Sequence, residues 1–448
     1  MESILLNPYF LFFLTISLWI IAVYVIYKKK WLEGTPFAFQ GPFLLWRTEK
    51  GKRFIDWLAR PKRFWKVYGD FSVAITFVVM FTFLVVLIWV AFLVMNIPKE
   101  RVPTPQMILG IPGLNPIIPI WYGILALVIA LVVHEFTHGI LTRVAKSKIL
   151  SLGLVFFIVP MGAFVEPDEE ELQVMKKRKR SRMFASGPTS NLIVALICSL
   201  VFTSVFIGNA EPVAVGNGVI GLVEDSPALN SSLEPGMIIT SIYHNNSENP
   251  LDSVSAFGDL MGTTRPRDNV TLTIYNDGQY YREDVVLSNR SDNEPIGFLG
   301  IYSIYTGTGK QVYTPTIYPE SIDSTMYSMI IYISLPLRGL SPIEEPYTSF
   351  YEPSGALAGA SEPLFWILAN SFYWVFWLNL MLGLTNALPA VPLDGGYVFR
   401  DGFDTFLEKT RANMNAERRE AIVKRVSYFL SFFILALILW QLIGPRVF

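Results

Sequence analysis

Two histidines and a glutamate inside an apolar segment are the residues of this chain with the clearest capacity for chemistry. The segment reads His134-Glu135-Phe136-Thr137-His138. Residues four apart lie on one face of a helix, so His134 and His138 can present two imidazole rings to a single metal ion. Glu135 lies beside them and can accept a proton from a water molecule at that ion. The spacing therefore predicts a metal centre with Glu135 as its base.

The surroundings of this motif favour a metal centre over a chance match. Residues 117 to 133 are almost wholly apolar, and the apolar run continues through Ile140 and Leu141. The chain has only three histidines, and two of them stand at ligand spacing around a glutamate. Ionisable groups are costly to place inside a membrane helix, so they are treated there as functional. The alternative, in which these are ordinary core residues, is therefore disfavoured.

Composition indicates the class of protein. The 448 residues include 52% hydrophobic and only 16% charged residues, against about 25% charged residues in a usual soluble chain. This balance predicts a polytopic α-helical membrane protein. The net charge of -1 gives no sign of a nucleic-acid partner. The single cysteine, Cys198, excludes an intramolecular disulfide and a cysteine-rich zinc site.

Taking about 20 apolar residues as one membrane span, the sequence predicts about six transmembrane helices. They cover about 4–27, 72–95, 117–145, 185–207, 364–387 and 426–443. The first is too long for a signal-peptide core, which predicts a retained anchor. Basic residues concentrate in the connection after the first span and before the fourth and sixth spans. By the positive-inside rule these connections are cytoplasmic, so both chain ends face outward.

Two connections on the predicted cytoplasmic side contain unusual stretches. Residues 43–68 mix Phe, Leu and Trp with Lys and Arg, which fits either an interfacial helix or a solvated basic loop. Residues 151–165 are rich in strand formers, are too short to span a membrane, and include Pro160 and Gly162. They predict a hairpin that dips into the membrane beside the metal motif, where its backbone must be buried in protein or line a wet cavity.

Residues 209–310 differ in character from the rest and predict a small extracytoplasmic α+β domain. Short strand-like runs alternate there with Asn- and Gly-containing turns. Every N-x-S/T sequon of the chain falls inside this stretch, at Asn230, Asn245, Asn269 and Asn289, in agreement with an outward position. The third histidine, His244, is predicted to be an exposed turn residue. Residues 311–363 follow as a linker, in which 326–337 is predicted to form either a re-entrant or a surface helix.

A catalytic zinc ion usually has three protein ligands, and the fifth predicted span supplies the third candidate. It ends in Asn386-Ala-Leu-Pro389-Ala-Val-Pro392-Leu-Asp394-Gly-Gly. Two prolines interrupt helical hydrogen bonding and two glycines permit close backbone approach, which predicts irregular backbone at Asp394. His134 lies about 17 residues into its span and Asn386 about 22 residues into a parallel one, or roughly 25 and 33 Å at 1.5 Å per residue. Asp394 can therefore meet both histidines near the cytoplasmic face.

The fourth predicted span opens with small and polar residues, in the stretch Ala185-Ser186-Gly187-Pro188-Thr189-Ser190-Asn191. Such residues let membrane helices approach closely and form hydrogen bonds between them. For Ser190 this role is no better supported than simple packing. Asn191 is more costly to place there, so we expect it to act near the metal centre.

Taken together, these motifs resemble the site-2 protease family of intramembrane metalloproteases. The resemblance rests on H-E-F-T-H in one membrane helix, G-P-x-x-N opening the next, an outward insert, and N-A-L-P-A-V-P-L-D-G in a later helix. It implies a Zn²⁺ ion bound by His134, His138 and Asp394, with Glu135 as general base. Residues that bind substrate or support the site are expected at Asn191, Gly162, Asn386 and Pro389.

The resemblance extends to the hairpin and to the insert. Residues 158–165 are similar to the family's membrane-re-entrant β-hairpin, which is thought to pair with an unwound substrate. Within the insert, residues 219–228 and 233–239 resemble a PDZ domain of the kind found in this family. Gly236-Met237 stands there where Gly-Asp is usual.

The predicted fold is accordingly a polytopic α-helical membrane protein with about six transmembrane helices and an extracytoplasmic PDZ-like domain. Its five parts are an N-terminal anchor region (1–110), a membrane half with the metal motif (111–208), the PDZ-like domain (209–310), a linker (311–363) and a membrane half with the Leu-Asp-Gly element (364–448).

The predicted function is that of a zinc endopeptidase that cuts transmembrane segments of single-span membrane proteins, in the lipid bilayer near its cytoplasmic face. The chief alternative, a membrane zinc transporter, should show further ligands along a pathway and often a His-rich loop, whereas only His244 lies outside the motif. A prenyl-protein type metalloprotease would be expected to use a downstream Glu as third ligand, and Asp394 argues against it. A non-catalytic scaffold is disfavoured because ligands and base are all present.

Overall fold

The structure is a computed structural model that describes residues 8–96, 104–108, 110, 112–157, 159–291, 294–315, 322–411 and 413–447. It forms two compact units. The first comprises Gly123–Ala195 with the described residues up to Asn115 and from Trp377 onward, and the second comprises Pro116–Tyr122 and Leu196–Phe376. The boundaries of these units cut through long helices, so the five-part division made from the sequence stays a prediction.

The helices are α1 (Pro8–Lys28), α2 (Lys52–Leu58), α3 (Lys62–Leu93), α4 (Ile120–Val144), α5 (Glu169–Gln173), α6 (Lys177–Val201), α7 (Ala256–Thr263), α8 (Thr306–Gly309), α9 (Ile322–Ser334), α10 (Glu362–Asn386), α11 (Asp394–Thr410) and α12 (Ala416–Val447). The strands are β1 (Phe37–Gln40), β2 (Phe43–Thr48), β3 (Ile149–Phe157), β4 (Val159–Pro167), β5 (Ala210–Pro212), β6 (Asn217–Leu222), β7 (Ile238–His244), β8 (Ser247–Pro250), β9 (Asn269–Asn276), β10 (Gln279–Val286), β11 (Ser288–Ser291), β12 (Glu294–Phe298), β13 (Ile301–Tyr305) and β14 (Tyr351–Pro353).

Five helical segments in the described part of the chain are long and apolar enough to cross a membrane. They are Lys62–Asn96, Ile120–Val144, Lys177–Asn209, Glu362–Asn386 and Ala416–Arg446. These match five of the predicted spans and confirm a multi-pass membrane architecture. The remaining span, predicted at about 4–27, falls on α1, where Leu14–Lys28 qualifies as a shorter apolar helix and residues 4–7 lie outside the described residues. The count of six therefore stays a prediction.

A four-stranded antiparallel sheet in the order β1-β2-β3-β4 lies in the first unit. The hairpin predicted at 151–165 is confirmed as β3 and β4, which pair Val155 with Gly162, while Ile158 between them lies outside the described residues. The interpretation of 43–68 as one interfacial helix or one solvated loop is wrong. Its first residues form β2, which pairs Leu45 with Val155. A partner more than 100 residues away leaves no signal in the local pattern of 43–68.

An apolar cluster joins α2, α4 and β3 in the first unit. Its fully buried members include Ile55, Ile140, Leu141, Ile149 and Leu152. Each such side chain contributes about 1.5–3 kcal/mol by leaving water. Because α4 carries the metal motif, this cluster holds the motif helix against the sheet.

Ion pairs hold the beginning of α6 against α3 and α11 in the same unit. Arg182 and Arg178 of α6 both bond the carboxylate of Asp70 in α3. Arg180 forms a two-pronged pair with Asp401 of α11, through contacts of 3.0 and 2.5 Å. A bidentate guanidinium–carboxylate pair fixes orientation as well as distance, so α11 is held at a defined register along α6.

The second unit contains the sheet-rich region that the sequence predicted at 209–310. Its main sheet runs in the order β10-β9-β7-β6-β13, with β8 paired to β7. Alternate residues of β9, namely Val270, Leu272 and Ile274, form a buried core together with Ile242 of β7 and Met261 of α7. The alternation follows from the two-residue period of a strand with one face in the core.

The prediction that His244 is an exposed turn residue is wrong. Its side chain is only 7% exposed, and its Nε2 lies 3.5 Å from Oδ2 of Asp268. The turn itself consists of Asn245 and Asn246, both of which have positive φ. His244 is the last residue of β7, so the strand period turns it inward.

The helix predicted at 326–337 is confirmed as α9, which begins four residues earlier, at Ile322, and ends at Ser334. It has 13 residues, or roughly 20 Å at 1.5 Å per residue, which is too short to span a bilayer. Tyr332 of α9 packs on Tyr373, with ring centroids 5.6 Å apart, and donates or accepts a hydrogen bond with Ser199 at 3.0 Å. Whether α9 is re-entrant or lies on the surface stays a prediction.

Candidate metal centre

Three side chains of the first unit converge on one point, as the sequence predicted. His134 and His138 lie on one face of α4, with ring centroids 4.7 Å apart. Oδ2 of Asp394 lies 2.9 Å from Nε2 of His134 and 3.1 Å from Nε2 of His138. Among the described residues, no other three His, Cys, Asp or Glu side chains bring their ligand atoms this close together.

The spacing and chemistry of these atoms fit a zinc ion. Zinc bonds of about 2.0–2.1 Å at tetrahedral angles set ligand atoms roughly 3.3 Å apart, close to the separations around Asp394. Two neutral imidazoles and one carboxylate form a donor set that suits zinc. As a zinc ligand, Asp394 contributes an ionised carboxylate, while both imidazoles bind in their neutral form.

A backbone carbonyl fixes the orientation of one histidine. Nδ1 of His138 lies 2.8 Å from the carbonyl oxygen of Met183 in α6. Because a carbonyl only accepts, Nδ1 carries the proton, and the lone pair of Nε2 points toward Asp394. Nδ1 of His134 is buried without a hydrogen-bond partner in the described part of the chain. Both rings thus direct Nε2 at the same place.

Asp394 reaches this place because the chain changes direction after α10. Residues 387–393 form an irregular turn that includes Pro389 and Pro392. A Cβ on Gly396 would lie 2.7 Å from the backbone oxygen of Ala390, so the return of the chain over its own turn requires glycine there. The prediction that Asp394 itself stands on irregular backbone is wrong, because it is the first residue of α11. A carboxylate at that position interacts favourably with the helix dipole.

The predicted base is held by the sheet. Oε2 of Glu135 accepts a hydrogen bond of 3.1 Å from the backbone N–H of Val165 in β4. No cation in the described part of the chain forms an ion pair with Glu135, so its second oxygen keeps the capacity to accept a proton. Gly162, which was expected to support the site, lies three residues earlier on the same strand.

The α6 helix packs closely against the metal motif of α4 through small residues. A Cβ on Gly187 would lie 2.7 Å from Nε2 of His134 and closer still to Nε2 of His138. One turn on, Ser190 accepts a hydrogen bond of 2.9 Å from Thr137 of α4. Asn191 is fully buried, and its amide nitrogen and oxygen have no hydrogen-bond partner among the described residues. An unpartnered buried amide is costly, which supports the expectation that Asn191 acts at the site.

Two expected supporting residues lie at the end of α10 and in the turn before Asp394. Asn386 ends α10, and Pro389 is buried in the turn that follows. The side chain of Asn386 forms no hydrogen bond within the described part of the chain. Both residues shape the path to Asp394, whereas neither supplies a ligand atom.

Several functional contacts could not be found from the sequence. The carbonyl of Met183 and the N–H of Val165 are backbone groups, which every residue has, so no residue type marks them. Asp401 stands seven residues after Asp394 and is 3% exposed, and only its partner Arg180 reveals its role. Gly187 could have been found, since a glycine in an otherwise apolar helix signals close approach.

These membrane helices, with two histidines and an aspartate around one point and a glutamate beside them, define a membrane-bound zinc metalloprotease. Residues 122–434 match the model of peptidase family M50, and the chain belongs to that family, which is the site-2 protease family. The resemblance inferred from the sequence is thereby confirmed, as are zinc as the cofactor and the class of enzyme.

The chain is also similar to individual proteins. An uncharacterized protein of Methanocaldococcus jannaschii is 25% identical over 400 residues, which cover 89% of this chain and 85% of the relative. The zinc metalloprotease RasP of Oceanobacillus iheyensis is 22% identical over 284 residues, which cover 62% of each protein. The matched region thus spans less than two thirds of RasP.

A solved structure resembles part of the chain. The PDZ domain of the SdrC-like protein of Listeria monocytogenes is 24% identical and covers 20% of this chain and 87% of its own, with a TM-score of 0.18. So low a score does not support an argument about the fold. The PDZ-like nature of 209–310 stays a prediction.

Proposed function

We propose that this protein is an intramembrane zinc endopeptidase that cuts transmembrane segments of single-span membrane proteins. The observation that carries the proposal is the hydrogen bond between Glu135 and Val165, which sets an edge strand beside the base in a membrane helix. His134 lies ten residues before the end of α4 at Val144, or roughly 15 Å by the helix rise. A bond cut at this depth belongs to a membrane-embedded segment.

The chemistry follows from the residues around the site. The zinc ion that His134, His138 and Asp394 would hold supplies a Lewis acid that polarises the scissile carbonyl and acidifies water. Glu135 takes the proton of the attacking water on its free carboxylate oxygen and returns it to the leaving amine. The unpartnered amide of Asn191 offers a hydrogen-bond donor to the polarised carbonyl oxygen or to a neighbouring peptide group of the substrate.

The β4 strand supplies the means to hold an extended substrate. It is the outer strand in the order β1-β2-β3-β4, so one edge of its backbone is not paired within the sheet. A transmembrane helix hides its peptide bonds in its own hydrogen bonds and must unwind before it can be cut. An added strand on β4 would replace those lost hydrogen bonds and lead the scissile bond past Glu135.

The transporter alternative is not favoured. A transport pathway needs successive ligand groups across the bilayer, and the described residues contain one cluster of three His, Cys, Asp or Glu ligands. The pair of His244 and Asp268 lies in the sheet-rich region of the second unit and lacks a third ligand.

A panel of purified single-span membrane proteins tests the proposed reaction. We expect the zinc-loaded protein in liposomes to cut at least one of them inside its transmembrane segment, with the bond mapped by mass spectrometry. The cut should lie in the half next to the substrate's basic flank, because the site is proposed to lie near the cytoplasmic face. Zinc transport without any cleavage would overturn the proposal, and so would cleavage confined to extramembrane loops.

We also propose that the sheet-rich region 209–310 is extracytoplasmic and PDZ-like. The basic connections of the sequence and the confinement of all sequons to this stretch support its outward position. Asn245 and Arg418 are both exposed. A cysteine at position 245 should therefore react with an impermeant thiol reagent in intact cells, and one at position 418 only after the membrane is opened. The reverse labelling would move the active site to the other face.

A further inference from the structure

A cavity of about 370 Å³ in the first unit is lined mainly by cations. Its charged lining residues are Arg60, Lys62, Arg143, Lys146, Lys148 and the single acid Asp56. Asp56 is already bonded by Arg143 at 2.8 Å. Lys148 lies 3.6 Å from Glu171. The other three cations form no ion pair with any residue in the described part of the chain.

The helix ends at this cavity add to its excess of positive charge. The α3 helix begins there at Lys62, after Pro61, with no side-chain cap and no acidic residue in its first turn. The N-terminus of a helix carries a positive partial charge, so Lys62 and Arg63 add like charge to it. Arg143 and Lys146, by contrast, stand at the C-terminus of α4, where cations are favourable. Positive charge is therefore least compensated at the start of α3.

We propose that this cavity binds the phosphate head group of an anionic membrane lipid. Lysine and arginine side chains and a helix N-terminus are the groups with which proteins bind phosphate. A volume of about 370 Å³ lies within the usual range for small-molecule pockets. The α3 helix begins and the α4 helix ends at the cavity, and both are long enough to span a membrane. The cavity thus stands where two spans reach the bilayer surface.

Exposed aromatic side chains next to the cavity favour a lipid over a soluble phosphate. Phe54 and Trp57 of α2 are about half exposed and stack with ring centroids 5.8 Å apart. Phe64, in the first turn of α3, is 60% exposed. Trp collects at the level of lipid head groups, and exposed Phe rings beside it offer an apolar surface to acyl chains. A cavity with apolar rings outside it and unpaired cations inside it matches a molecule with an apolar tail and an anionic head.

A ligand in this cavity would also affect the packing of the helix that carries the metal motif. Ile55 of α2 is fully buried against the α4 helix, and a Cβ on Gly139 would lie 3.0 Å from its Cδ1. A phosphate between Arg60, Lys62 and Lys146 would neutralise the repulsion among the ends of α2, α3 and α4. It would thereby brace the end of the helix that carries the metal motif.

Native mass spectrometry of the full-length protein in a neutral detergent tests the proposal. The probes are dioleoyl phosphatidylglycerol and, as the uncharged comparison, dioleoyl phosphatidylcholine. We expect one phosphatidylglycerol molecule to bind in preference. The variant Arg60→Ala/Lys62→Ala/Lys146→Ala should lower its affinity on the order of 100-fold, since each cation near a membrane surface contributes roughly five-fold.

The control variant, Lys50→Ala/Arg53→Ala/Lys66→Ala, removes three exposed cations of the same connection that do not line the cavity. It should leave the affinity within about three-fold, because these three cations do not line the cavity. Equal losses in the two variants would overturn the proposal, as would equal binding of the two lipids. Inorganic phosphate that displaces the lipid at equal concentration would overturn the lipid assignment.

Zinc content and monodisperse elution show whether each variant is folded. Should the triple variant fail these checks, the gentler Lys62→Gln/Lys146→Gln form replaces it. That form is expected to lower phosphatidylglycerol affinity by roughly 25-fold. An unchanged affinity in this folded variant would equally overturn the proposal.

Discussion

Replacing Glu135 with glutamine should abolish peptide hydrolysis and leave the zinc content of the protein unchanged. Glutamine keeps the shape of the side chain, and its amide oxygen can still accept the hydrogen bond from Val165. It cannot accept the proton of the attacking water, and loss of a general base typically costs a factor of about 10²–10⁴ in rate. Hydrolysis of a validated substrate and zinc content by elemental analysis are the two measurements.

Glu166→Gln is the matched control for this experiment. Glu166 also belongs to β4, where it accepts a hydrogen bond from Ser151 and lies 3.4 Å from Arg47. The same chemical change there removes a carboxylate from the sheet without touching the base. We expect its hydrolysis rate to stay within about three-fold of the wild type, because Glu166 forms a partly exposed ion pair with Arg47 and does not touch the base. Comparable hydrolysis by Glu135→Gln and the wild type would refute the assignment of the base.

The long helices could be predicted from sequence because their signal is local. About 20 consecutive apolar residues have few structural uses other than to cross a membrane. The four-stranded sheet could be predicted only in part. The β3–β4 hairpin is formed by neighbouring residues, whereas Leu45 pairs with Val155 far along the chain. Pairing over such a distance depends on the complete fold, and no pattern in residues 43–48 indicates its partner.

The metal centre shows the same division between local and distant information. His134 and His138 could be predicted as ligands because helical spacing puts them together within one turn. Asp394 could be predicted because its turn is marked by prolines and glycines. The helix that begins at Asp394 was missed, since the two glycines after it favour a loop by propensity. Within that helix Asp401 is buried and paired with Arg180 of α6, a distant contact that local propensity does not include.

The basic residues are a further example of a feature whose role depends on distant contacts. In the sequence, the basic residues at the start of α6 and those around the cavity at α3 count equally toward the positive-inside rule. In the structure Lys177, Arg178 and Arg180 are all paired with acids, whereas Arg60 and Lys62 have no ion-pair partner among the described residues. Basic residues that look alike in the sequence therefore have two roles in the structure. Some hold helices together through ion pairs, and others remain available to bind a ligand.

The variant Gly187→Ala should lose zinc as completely as Asp394→Ala, although it removes no ligand. The added methyl group would lie 2.7 Å from Nε2 of His134 and closer to Nε2 of His138, in the space that the ion requires. Alanine is favoured over glycine in a helix by about 1 kcal/mol, so helix propensity does not disfavour the substitution. We expect at least about a ten-fold loss of zinc affinity, or about 1.4 kcal/mol, measured by competition with a fluorescent chelator.

Gly258→Ala controls for the substitution itself. Gly258 also lies inside a helix, α7, and a Cβ there would meet no atom within 4 Å. It should keep the zinc affinity of the wild type, while Asp394→Ala provides the reference for loss of a ligand. In chelator, Gly187→Ala should unfold more readily than the zinc-free wild type, since the added methyl group meets the two imidazole rings themselves. Zinc affinity equal to that of the wild type in Gly187→Ala would mean that α6 can move away from α4. The ion would then not be confined between these two helices.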